Sequence, residues 1–153
     1  MEDFDKFYIK AIHFLKYRPR SEKEIRDKLQ SKKAPLEIIE QVIGKLTEQK
    51  FLNDEAFARW WIEQRMQFKP RSKRFITFEL KQKGIDQEII EQAFGNLENP
   101  ISNSKLAKKI VEKKLPRFKH LPKIEIYQKL GRVLSAKGFD WDTIKRSIDE
   151  ELK

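Results

Sequence analysis

The sequence repeats itself about every fifty residues, and a chain built this way folds as an array of like units rather than around one central core. Leu29, Glu37-Ile38-Ile39-Glu40-Gln41, Gly44 and Leu46 return at a constant offset of 51 as Leu80, Glu88-Ile89-Ile90-Glu91-Gln92, Gly95 and Leu97. Upstream, Pro19-Arg20-Ser21 meets Pro70-Arg71-Ser72 at the same offset. A third copy is fainter: Lys83-Gly84-Ile85-Asp86 recurs 54 residues on as Lys137-Gly138-Phe139-Asp140, and Ile90 finds its counterpart in Ile144. The units so marked are 1–50, 51–100 and 101–153. Each is too small to hold a large core of its own, so neighbours are expected to bury apolar surface against one another in an elongated, curved array.

Within each unit the punctuation marks three helices. Val and Thr number only three each against 17 Ile and 13 Leu among many Lys, Glu and Gln, a composition that favours helix over strand. The first helix carries Phe7, Ala11, Phe14 and Leu15, then Phe57, Trp60, Trp61 and Ile62, then Leu106, Ile110 and Val111 at helical spacing. Pro19, Pro70 and Pro122 end it. Ser21 with Glu24 has capping-box spacing, and Ser72 is placed to cap the equivalent helix. The second helix carries Ile25 and Leu29, or Phe75, Phe78 and Leu80, or Tyr127, Leu130 and Leu134. It ends at Gly84 and Gly138, suited to the left-handed conformation after a helix, with Lys33 in that place in the first unit. The third helix follows Pro35, Asp86 or Asp140, with Ile38, Ile39, Val42 and Leu46 facing inward in the first unit. The reading is all-α, with nine helices in three tandem three-helix repeats.

Catalytic constellations are absent from the sequence. The five glycines form neither a dinucleotide fingerprint nor a phosphate loop. His13 and His120 lack a metal-binding partner at helical spacing, and His13 is expected at the edge of the core. Asp140 and Asp142 stand at a helix start, where capping and the helix dipole account for them. The aromatic run Phe57-Trp60-Trp61 is assigned to core packing rather than to base stacking. No cofactor and no metal are expected. Cysteine is absent, no apolar run reaches the length of a membrane span, and Glu2, Asp3 and Asp5 make the start acidic where a signal peptide would be basic. These features point to a cytoplasmic, non-enzymatic protein without membrane contact.

What remains is a distribution of cations. The net charge is +10, of which the last 53 residues hold +7, and such a chain seeks polyanions or acidic surfaces. Lys105, Lys108, Lys109 and Lys113 form a stripe opposite the apolar face of Leu106, Ala107, Ile110 and Val111. A second set recurs once per repeat in the turns before the second helices: Arg18 and Arg20; Lys69, Arg71, Lys73 and Arg74; Arg117, Lys119 and Lys123. A cation beside a helix N-terminus, where unpaired amides already favour an anion, suits phosphate or carboxylate. Turns repeated along an array suit a partner that also repeats, such as a nucleic-acid backbone or a protein filament.

The motifs resemble those of the RecX family. Arg18-x-Arg20-Ser21-x-x-Glu24-Ile25-x-x-Lys28-Leu29, Leu52-Asn53-Asp54-x-x-Phe57-Ala58-x-x-Trp61-x-x-x-Arg65 and Leu80-x-x-Lys83-Gly84-Ile85-Asp86 are similar to its three signatures. The sequence departs from them at Asn53, Lys33 and Lys69, all structural positions. The resemblance implies three three-helix repeats that bind the RecA recombinase filament in its groove and modulate, usually inhibit, RecA's ATPase, strand-exchange and co-protease activities. It brings no catalytic residues, so the thirteen cations named above stand as the candidate contacts to filament or DNA. DNA alone is expected to bind weakly and without sequence preference, and the protein to be a monomer. The competing reading is a stand-alone basic nucleic-acid-binding module of helix-turn-helix type. Such a module needs a recognition helix aimed at base edges, for which Gln41, Gln92 and Lys145 are the weak candidates.

Overall fold

The computed structural model describes residues 2–97 and 102–153. Nine α-helices and no strand are found among them: α1 (Glu2–Tyr17), α2 (Glu22–Ser31), α3 (Leu36–Glu48), α4 (Asp54–Gln67), α5 (Lys73–Gln82), α6 (Gln87–Gly95), α7 (Asn103–Lys114), α8 (Lys123–Ala136) and α9 (Trp141–Leu152). A short 3-10 turn, Leu115–Arg117, follows α7. The repeat boundary expected between residues 100 and 101 lies outside the described residues.

The helix ends follow the sequence chemistry. Ser21 Oγ accepts the Glu24 amide at 3.1 Å while the Glu24 carboxylate accepts the Ser21 amide at 3.0 Å, a complete capping box on α2. Ser72 Oγ accepts the Phe75 amide at the start of α5, and Asp140 accepts the Thr143 amide at the start of α9. Asn53 caps α4 by accepting the amides of Glu55 and Ala56, the role an Asp would fill. The second helix of each repeat ends on a residue of positive φ: Lys33 at 64°, Gly84 at 81° and Gly138 at 95°.

The described residues divide into two compact units, one holding those up to Trp61 with Leu80–Ala93, the other Ile62–Glu79 with those from Phe94 onward. The middle fifty residues thus belong partly to each. In the first unit Phe7, Ala11, Ile25, Leu29, Ile39, Val42, Ile43, Leu46 and Leu52 make one core between α1, α2 and α3. In the second, α7, α8 and α9 enclose Leu106, Ala107, Ile110, Val111, Leu115, Ile126, Leu130, Leu134, Phe139, Ile144 and Ile148.

The same joint is built twice, once in each unit. In the first, Ser21 Oγ donates to the Lys83 carbonyl at 2.8 Å and the Glu22 amide donates to Asp54 Oδ1 at 2.9 Å. In the second, the Ser72 amide donates to the Lys137 carbonyl at 3.1 Å and the Lys73 amide donates to Asn103 Oδ1 at 3.0 Å. The N-terminus of one repeat's second helix therefore docks on the next repeat's helix-ending turn and on the first residue of its first helix. This docking explains the glycines. A Cβ on Gly84 would lie 2.6 Å from Lys23 Cβ, and one on Gly138 would lie 2.9 Å from Phe75 Cβ. Lys33 is exposed and meets no such demand, so a side chain is tolerated there at the cost of its left-handed backbone.

Two expectations are corrected. On α5 the buried positions are Ile76 and Leu80, while Phe75 is half-buried and Phe78 is 57% exposed. Ile76 stands at the repeat offset from Ile25, so the register of the repeat outweighs the larger apolar side chains. His13 is exposed rather than at the core edge, because α1 turns Phe7 and Ala11 inward.

Candidate functional site

In the first unit the predicted cations are engaged within the fold. The Arg18 guanidinium pairs with Glu24 at 2.5 Å and lies 5.9 Å from the Phe57 ring, 5.9 Å from Trp60 and 5.6 Å from Trp61. Lys83 closes the other side, with Nζ 4.6 Å from the Trp61 ring and 3.6 Å from the Glu24 carboxylate. Burial pushes the Glu24 carboxyl up, but the bonds from Arg18 and the Ser21 amide and the charge of Lys83 outweigh it and hold it below the usual carboxylate range. Arg20 donates to the Phe14 carbonyl at 3.1 Å and stacks 3.7 Å from the Phe14 ring. This arrangement also corrects the aromatic run: Phe57 and Ile62 are buried, whereas Trp60 and Trp61 are half-buried and face cations.

In the second unit the cations converge instead. On α7 Leu106, Ala107, Ile110 and Val111 are buried, and Lys105, Lys108, Lys109 and Lys113 are exposed on the opposite face. The turn at the end of α4 brings Lys69 to this helix. A cavity of about 600 Å³ lies here, lined by Met66, Gln67, Phe68, Lys69, Pro70, Lys109, Ile110, Lys113, Lys114 and Lys137. Five ammonium groups and no carboxylate line it. Lys137 titrates below the ordinary lysine range, first because of burial and then because Arg71, Lys114, Arg65 and Lys113 repel its charge. Arg71 is likewise lowered, by burial and by Arg65, and donates to the Lys69 and Pro70 carbonyls, which shapes the turn.

The remaining candidates do not line this cleft. Lys73 and Arg74 are exposed at the start of α5, with Lys73 Nζ 5.0 Å from the Phe94 ring. Arg117, Lys119 and Lys123 are exposed between α7 and the first turn of α8. Gln41, Gln92 and Lys145 are exposed on the third helices, and Lys145 is paired with Asp149 at 3.0 Å. Sequence reasoning passed over Lys114 and Lys137 as binding groups. Lys114 falls off the α7 stripe, and Lys137 reads as part of a helix-ending turn. Among the described residues no group of three or more His, Asp or Glu is placed to hold a metal, and no helix is long and apolar enough to cross a membrane.

Comparison with known proteins covers the length of the chain. The models for the first, second and third three-helix domains of RecX match residues 8–46, 53–93 and 104–148. The regulatory protein RecX of Bacillus velezensis is 34% identical over 97% of this chain and 56% of its own length. That of Clostridium tetani is 36% identical over 93% of this chain and 65% of its own. The chain thus spans a little over half to about two thirds of these relatives. The crystal structure of RecX from Lactobacillus salivarius superposes with a TM-score of 0.76 at 28% identity, covering 97% of this chain and 96% of that one.

Proposed function

The chain belongs to the RecX family, and from that premise we propose that it binds the RecA–DNA filament, in the groove and across adjacent protomers, and modulates RecA's ATPase, strand-exchange and co-protease activities, usually by inhibition. The observation that carries this reading is the uncompensated cationic surface of the second unit, where Lys69, Lys109, Lys113, Lys114 and Lys137 line one cleft beside the exposed α7 stripe. A filament of protein on DNA offers phosphates and repeated acidic surface together, and a surplus of unpaired cations is what such a partner attracts. The relatives are named regulatory proteins, which accords with a non-enzymatic role. The action is that of a monomer in the cytoplasm.

The test is a titration of RecA's DNA-dependent ATPase. Inhibition is expected far below one copy per RecA, because a molecule wedged in the filament affects many protomers. If saturating protein changed neither the ATPase rate nor filament length, the proposal would be lost.

A further inference from the structure

We propose that the lysine-lined cleft of the second unit is a single-strand nucleic-acid site, with Lys69, Lys109, Lys113, Lys114 and Lys137 holding backbone phosphates and Phe68 stacking on a base. This deepens the proposed function and rests on it only in that the filament is what brings the strand.

Three observations carry the inference. First, five ammonium groups converge on one concavity whose lining has no carboxylate. By contrast, Arg18 and Lys83 share Glu24, Arg26 meets Glu40, and Arg65 meets Glu79. A cleft lined by one sign of charge focuses the field and raises the local concentration of anions. Second, Phe68 lines the same cleft and is 63% exposed. An aromatic ring left in water beside cations serves neither the core nor a carboxylate partner, but it offers a face to a base. Third, the cavity of about 600 Å³ is of the size that takes a small ligand and has an apolar side in Met66, Pro70 and Ile110. In a duplex the base faces are already stacked on one another, so a ring can use them only in an unpaired strand. Lysines, as mobile point charges, tolerate the varied backbone of such a strand.

The experiment follows the anisotropy of a labelled oligothymidylate of about 15 nucleotides against salt, beside RecA's ATPase. The parent protein should bind the strand. Lys109→Gln with Lys113→Gln should weaken binding about tenfold and make the logarithmic salt slope shallower by roughly 1.4, two charges at about 0.7 each. Phe68→Ala should weaken binding about tenfold with the salt slope unchanged, and Phe68→Tyr should restore it. Lys119→Gln with Lys123→Gln, removing two cations outside the cleft, should do much less. These side chains are exposed, so circular dichroism melts should coincide with the parent's. The proposal is overturned if the parent does not bind the strand. It also falls if the two lysine pairs weaken binding equally, if Phe68→Ala binds like the parent, or if thymidine monophosphate competes at the strand's own concentration, which would make this a free-nucleotide site. A parent that binds the strand through the cleft yet leaves RecA untouched would sink the proposed function and leave the cleft standing. Inhibition of RecA with strand binding indifferent to the cleft variants would do the reverse.

Discussion

Ser21 is fully buried and works in three bonds: its hydroxyl accepts the Glu24 amide and donates to the Lys83 carbonyl, and its own amide is held by Glu24. Ser21→Ala should therefore cost more than an ordinary cap, about 2–4 kcal/mol, since a lost cap costs about 1 and a part-buried carbonyl left unpaired adds about 1–3; urea unfolding reads this directly. Asp54 differs in sign. Burial raises its carboxyl, the Glu22 amide opposes the rise, and the charges of Glu22 and Asp86 add to it. An acid whose folded value lies above its unfolded value weakens the fold when ionised, and that penalty fades as pH falls through the folded value. The matching position in the second joint is Asn103, whose amide oxygen accepts the same kind of bond. Asp54→Asn should thus keep the joint, and its stability relative to the parent should be greater at pH 7 than at pH 4 in paired thermal melts. Glu24 runs the other way: its folded value is lowered, so its contribution is present above the unfolded range and is lost as pH falls through the folded value.

At the scale of the helix, burial separates residues that spacing alone grouped together. Phe57 is 2% exposed, whereas Trp61 is half-buried and shielded by Arg18 and Lys83. Phe57→Ala should cost about 3–5 kcal/mol by the rule for buried aromatics, and Trp61→Ala less, because part of the space it leaves opens to water. Chemical unfolding of the two variants ranks them, and the reverse order would return Trp61 to the core. On α7 the replacement of Lys105, Lys108, Lys109 and Lys113 by Ala should leave the melt within a few degrees of the parent. Ala is the better helix former, and the buried face of Leu106, Ile110 and Val111 is untouched. Filament binding should drop instead, and early melting would show that these lysines serve the fold.

For the molecule as a whole, the twice-built joint sets how stability is distributed. The bonds of Ser21 and those of Ser72 involve no common residue and fall in separate units. The unfolding costs of Ser21→Ala and Ser72→Ala should accordingly add within about 0.5 kcal/mol in the double variant, and a clear excess or deficit would show the units to be coupled.

Repeat, helices and caps were legible in the sequence because each is a local matter. Ser21 and Glu24 stand one turn apart, Asp140 needs only the amide of Thr143, and Gly84 and Gly138 announce a left-handed residue at the end of a helix. The lysine face of α7 was legible for the same reason, since helical periodicity alone opposes it to Leu106 and Ile110. What the sequence could not settle was which cations keep their charge available. Arg18 and Lys83 read as basic as Lys69 and Lys137, yet tertiary packing brings the first pair to Glu24 and the tryptophans and gathers the second with Lys109, Lys113 and Lys114 where no carboxylate follows. Phe78 and Ile76 show the same division, for both are apolar on one short helix and only the packed register buries Ile76 and leaves Phe78 in water. Periodicity specifies a face, but the neighbours of that face come from residues far away in the chain, and only the folded structure supplies them.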